Sequence, residues 1–120
     1  MVDDEADIRL LTTLTLEAAD FQVDTAADGA EALMMLEEVQ PDLLLLDLMM
    51  PAMDGWDVID AVRANPSTRD LPSVAMSARF GIIRTTDYAI QAFLPKPCDP
   101  MVLLGVIDEV LRQDTTPTSP

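Results

Sequence analysis

The stretch Leu43-Leu44-Leu45-Leu46-Asp47 constrains this chain more than any other. Four successive leucines, bounded by Pro41-Asp42 before and Pro51 after, are apolar on both alternating faces. Such a run reads as a strand buried on both sides, as in the interior of a parallel sheet. An acid at its end is costly to bury alone, because an unpaired carboxylate loses its hydration. In open α/β sheets, however, the carboxyl ends of the strands are where sites form. Asp47 is therefore either the first polar residue of an ordinary loop or part of a site.

Taken in order, the rest of the chain supplies partners for that strand. Met1-Val2 precedes the acids Asp3-Asp4-Glu5. Ile8, Leu10, Leu11, Leu14 and Ala18 recur at helical spacing, which predicts an amphipathic helix over 7–19. Phe21-Gln22-Val23-Asp24-Thr25 alternates apolar and polar residues, as a short strand does. Asp28-Gly29 is a turn signal before a second helix over 30–39, and a third is expected over 56–64, ended by Asn65-Pro66. Val74-Ala75-Met76-Ser77 and Ala92-Phe93-Leu94 read as strands, with a weak, polar helix candidate over 82–90 between them. Asp99-Pro100 starts a last helix carrying Val102, Leu103, Val106, Ile107, Val110 and Leu111. Residues 1–113 are expected to form one domain and 114–120 a polar Thr/Pro tail or linker.

Alternation of this kind implies right-handed crossovers and an α/β fold. For five strands the expected arrangement is a flavodoxin-like doubly wound parallel sheet of order 2-1-3-4-5, with helices on both faces. That order brings Asp3-Asp4, Asp47, Ser77 and Lys96 to one edge. The convergence played no part in finding the strands, so it supports the site reading independently.

Composition narrows the chemistry. The formal net charge of −15 repels nucleic-acid phosphates, so direct DNA or RNA binding is not expected. No apolar run approaches a membrane span. A single cysteine, Cys98, excludes an internal disulfide and fits a reducing, cytoplasmic setting. Histidine is absent, which removes histidine-based triads, histidine metal sites and any internal phosphohistidine. Lys96 is the only lysine, held between Pro95 and Pro97.

Carboxylates gathered at one edge repel unless a cation sits among them, and an all-oxygen site suits Mg²⁺. A hydroxyl at Ser77 and an ammonium at Lys96 would complete a phosphoryl-transfer set, with a carboxylate as nucleophile. Plainer readings stand beside this one. A chain with 22 acids has acidic pairs by accident, a lysine among acids is commonly a surface ion pair, and Ser77 has the form of an ordinary strand-end hydroxyl.

Over nearly its whole length the chain resembles the receiver domain of two-component response regulators, of the chemotaxis-regulator type. The resemblance rests on Val2-Asp3-Asp4-Glu5, Ala27-Asp28-Gly29-Ala30-Glu31-Ala32-Leu33, Asp47-Leu48-Met49-Met50-Pro51-Ala52-Met53-Asp54-Gly55, Met76-Ser77-Ala78 and Leu94-Pro95-Lys96-Pro97, in that order. It implies that Asp47 is the phosphoacceptor, and that Asp3, Asp4, Asp47 and the backbone carbonyl of Met49 hold Mg²⁺. It further implies that Ser77 and Lys96 contact the phosphoryl group, that the Lys96-Pro97 peptide is cis, and that Phe93 is a switch aromatic coupled to Ser77. The implied partners are a histidine kinase or histidine phosphotransfer protein upstream and a protein target or attached output domain downstream. A homodimer stays open.

The match departs from the family in three places. Only Met1 and Val2 precede the acidic pair, so the first strand is unusually short. The chain either lacks residues upstream or fills that slot with another segment. The stretch from Ser77 to Lys96 is about three residues shorter than the family commonly has, and Gln91 stands where a glycine is common. Arg79 and Met49, at positions that tune phosphoryl lifetime in the family, imply slow self-dephosphorylation. Two other readings compete: a pseudo-receiver acting as a constitutive interaction module without phosphorylation, and an aspartate-nucleophile phosphohydrolase. The latter normally has a second Asp two residues after the nucleophile, where this chain has Met49.

Overall fold

The computed structural model describes residues 1–48, 55–77, 90–96 and 98–115. Within them the elements are α1 (Ala6–Ala18), α2 (Gly29–Glu38), β1 (Leu44–Asp47), α3 (Gly55–Ala64), β2 (Ser73–Ser77), β3 (Ala92–Pro95) and α4 (Pro100–Thr115). The leucine run is β1, and every residue in it is buried. It pairs in parallel with β2, Leu44 facing Ser73 and Asp47 facing Met76, and β2 pairs in parallel with β3.

The two apolar faces of β1 are spent on two cores. Leu44 and Leu46 point toward Val58, Ile59 and Val62 of α3 and Ala32 of α2. Leu45 points the other way, with Val74 and Met76, toward Leu103, Ile107 and Val110 of α4 and Leu16 of α1. Alternation along the strand thus places α2 and α3 on one face and α1 and α4 on the other.

The five-strand expectation needs correction on one side. Three strands form among the described residues, and Met1-Val2 and Phe21–Thr25 form none. Val2 instead makes isolated parallel bridges to Ala26 on one side and Leu46 on the other. The lateral order Ala26, Val2, β1, β2, β3 keeps the expected sequence of neighbours, reduced to single residues at one edge. The reason is local: Val2 reaches only Ala26, one residue past the expected strand, so residues 21–25 have no partner strand. Beyond it lies a cavity of about 410 Å³ between that segment and the start of β1, lined among others by Phe21, Val23, Leu43 and Leu45. The Met1 amine donates to the Asp24 carbonyl at 2.8 Å at the head of this cavity. Burial pushes its pKa down to about 6, with Asp24 partly opposing.

The inward face of α1 also differs from expectation. Leu16 is buried, whereas Leu10, Leu11 and Leu14 are more than half exposed. This helix carries leucines on several sides, so periodicity alone does not choose between them. On α4 the same holds for Val102, which faces out while Leu103, Ile107 and Val110 face in. The helix over 56–64 packs as expected.

Several side chains anchor the connections. Asp28 caps α2 by accepting from the Glu31 N–H at 2.8 Å, and Glu31 accepts in return from the Ala27 N–H. Asp99 accepts from the Met101 N–H, with Pro100 as the first residue of α4. Arg63, at the end of α3, donates to the carbonyls of Arg69 and Leu71 and to the Ser73 hydroxyl, tying the turn after α3 to β2. Gln91 has a use for its side chain: its amide oxygen accepts from the Ser73 N–H at 2.7 Å while its own N–H donates to the Ser73 carbonyl. The helix expected over 82–90, apart from Ile90, and residues 116–120 of the expected tail lie outside the described residues. No helix among the described residues is long and apolar enough to cross a membrane.

Candidate functional site

Three chain segments meet at the carboxyl end of the sheet. Val2 is seated beside Leu46 by two backbone hydrogen bonds, Val2 N–H to the Leu45 carbonyl (2.8 Å) and Asp47 N–H to the Val2 carbonyl (2.9 Å). One residue on, Asp3 is thereby set past the edge next to Asp47. A single bridging residue does the positioning expected of a longer strand. Lys96 arrives from the opposite side, directly after β3.

Among the described residues, Asp3 and Asp47 are the two buried acids, at 0% and 1% exposure. The Lys96 ammonium lies 2.9 Å from Asp47 Oδ2, 3.1 Å from Asp3 Oδ2 and 3.1 Å from Glu5 Oε1. It donates hydrogen bonds to Asp47 and Glu5. Its approach to Asp3 Oδ2 is an ion contact without hydrogen-bond geometry, so that buried oxygen has no donor among the described residues. Asp3 Oδ1 accepts from the Glu5 N–H at 2.9 Å, and the Asp3 carbonyl accepts from Arg9 at 2.7 Å. Burial works against the charge on Lys96. The carboxylates of Asp47, Asp3 and Glu5 outweigh it and hold the lysine pKa above its ordinary value.

One oxygen from each of Asp3, Asp4, Glu5 and Asp47 can be chosen so that all lie within 4.8 Å of one another. A hard divalent cation takes such a set, and the undonated Asp3 Oδ2 is an oxygen with capacity to spare. The residues present therefore fit Mg²⁺. Of the remaining expected participants, Ser77 ends β2 in register with Pro95. Its side chain, the Met49 carbonyl, Arg79 and Pro97 lie outside the described residues. Phe93 sits on β3, half-buried, with its ring centroid 6.3 Å from that of Trp56 at a tilt of 45°.

Gly55 is held against the site by close approach. A Cβ there would lie 2.6 Å from Leu48 Cα and 2.8 Å from the Asp47 carbonyl oxygen. Cys98 is a free thiol whose pKa is raised by burial and then by Asp99, which makes it a poor nucleophile.

Sequence reasoning brought Asp3, Asp47 and Lys96 together correctly in space. It assigned nothing to Glu5 or Arg9. Glu5 is visible as the third member of an acidic triplet, but it stands at the N-cap of α1, past the strand-end position that the strand order fixes, so its turn toward Lys96 is not legible in the pattern.

The response regulator receiver domain family matches residues 1–108. The chain is 39% identical to response regulator PleD of Caulobacter vibrioides, over 93% of this chain and 25% of that protein. It thus spans about a quarter of the length of that relative, and about half that of the transcriptional regulator RpaA of Synechocystis, at 33% identity. Chemotaxis protein CheY4 of Vibrio cholerae is similar in structure, with a TM-score of 0.82 at 30% identity, covering 91% of this chain and 93% of that one. The response regulator TrrA of Thermotoga maritima, in complex with Mg²⁺-BeF, has the same TM-score at 26% identity, covering 91% and 94%.

Proposed function

The chain belongs to the response regulator receiver domain family, and from that premise we propose that it takes a phosphoryl group from a partner's phosphohistidine onto Asp47 and thereby switches a protein-interaction face. The observation that carries this reading is the buried Asp47 carboxylate, paired at 2.9 Å with the only lysine and adjacent to buried Asp3.

In the proposed reaction an Asp47 oxygen attacks phosphorus while the phosphorus–nitrogen bond to the donor imidazole breaks. An acyl phosphate forms on Asp47 and the imidazole leaves with the electron pair. Lys96 stays close to the reacting oxygens and offsets their charge. Asp3 and Asp4, with Asp47 and the Met49 carbonyl, would hold Mg²⁺, which supplies a counter-charge for the phosphoryl oxygens. The Mg²⁺-BeF complex of TrrA, a relative in structure, supports this assignment. Ser77 then bonds the phosphoryl group and Phe93 follows it, biasing an existing two-state equilibrium. The half-buried Phe93–Trp56 contact is the packing that such a movement would change.

The phosphodonor is a histidine kinase or a histidine phosphotransfer protein. The output goes to a protein target or to an attached domain, in a cytoplasmic setting. No reaction beyond the chain's own phosphorylation and dephosphorylation is assigned.

Intact mass spectrometry after incubation with acetyl phosphate tests this reading. A single phosphoryl gain is expected with Mg²⁺, and none without Mg²⁺ or in Asp47→Asn. A folded chain that gains nothing would instead be a constitutive interaction module.

A further inference from the structure

Resting on the function proposed above, we infer that Glu5 is a positioning residue, the arm that keeps Lys96 at the site when a divalent cation enters the carboxylate cluster. The Lys96 ammonium lies 2.9 Å from Asp47 and 3.1 Å from both Asp3 and Glu5, with hydrogen-bond geometry to Asp47 and Glu5. That an exposed carboxylate joins two buried ones in holding the ammonium is set by where Glu5 stands. Glu5 occupies the N-cap position of α1, yet its side chain makes no capping hydrogen bond to that helix. It reaches across to Lys96 instead, while its own N–H fixes Asp3 Oδ1.

The three carboxylates differ in freedom. Asp3 and Asp47 are enclosed, whereas the Glu5 side chain is 59% exposed on a longer stem. A divalent cation bound by Asp3 and Asp47 repels an ammonium that already lies within about 3 Å of both carboxylates. Lys96 then has to leave Asp3. Glu5 can swing outward with it, and the enclosed acids cannot. Glu5 thus gives the displaced ammonium a partner beside Asp47, where an incoming phosphoryl oxygen would meet it.

Isothermal titration calorimetry with Mg²⁺ on the full chain, Glu5→Gln, Lys96→Met and the double variant separates this role from simple loss of negative charge. Charge loss weakens Mg²⁺ by the same factor with or without the lysine. A positioning role makes the effect of Glu5→Gln depend on Lys96, about fivefold in its presence and less than about twofold in Lys96→Met. Glu5→Asp, which keeps the charge on a shorter arm, is expected to resemble Glu5→Gln. Equal factors in both backgrounds, or a Glu5→Asp chain that binds as the parent does, would overturn the inference and leave the proposed function standing. Absence of Mg²⁺ binding by the parent chain would overturn both.

Discussion

Lys96 shows how one residue converts an unfavourable cluster into a site. Two buried carboxylates facing each other are destabilising without a cation, and the single lysine supplies it at 2.9 and 3.1 Å. A lysine pKa held above its ordinary value of about 10.4 stabilises the fold fully below that pH, and the contribution is lost as pH rises toward the folded-state value. The stability difference between the parent chain and Lys96→Met is therefore expected to be level through neutral pH and to narrow above about pH 10.4. Urea titrations across that range check it, and a gap that widens with pH would contradict it. Gly55 acts at the same scale through volume. Because an added Cβ meets backbone atoms of Leu48 and Asp47, Gly55→Ala is expected to cost about 1–3 kcal/mol. Chemical denaturation gives that cost, and a chain as stable as the parent would show that the strand end can move aside.

At the scale of elements, one edge of the sheet is held where Val2 alone bridges Ala26 and Leu46. Leu45 and Asp47 turn their N–H groups to the same edge of β1, because alternate residues of a strand do so. Asp47 spends its N–H on Val2, whereas Leu45 turns its own toward the cavity. Three apolar residues joined ahead of Met1 are expected to extend this pairing and fill the space. Burying even one such side chain is worth about 1.5–3 kcal/mol, and a Gly-Ser-Gly extension of equal length should give far less. Thermal melts of the two extended chains make the comparison, and equal melting temperatures would mean that the cavity does not accept a strand.

The whole molecule carries a net charge of −15. Most of its acids are exposed, so their mutual repulsion opposes compactness and is screened over a Debye length of about 10 Å at 0.1 M salt. Raising NaCl from about 0.02 M to 0.5 M is expected to raise the melting temperature by a few degrees, measurable by calorimetry. A fall would mean that the Lys96 cluster, rather than surface repulsion, dominates the salt response. The same acidity suits a partner with a basic patch or a high-salt interior.

The order of residues alone carried the alternating elements, the strand buried on both faces, the glycine and proline boundaries and the meeting of Asp3, Asp47 and Lys96. These follow from periodicity and from the connection rules of parallel sheets, which operate over short stretches. Three-dimensional packing settled what those rules leave open. It decided which leucines of α1 face inward, because several faces of that helix are apolar. It left Phe21–Thr25 without a strand and put a single bridge at Ala26, because a strand exists only where a neighbour offers backbone partners. It turned Glu5 toward Lys96, because the direction of that side chain is set where α1 begins and not by the order of the strands.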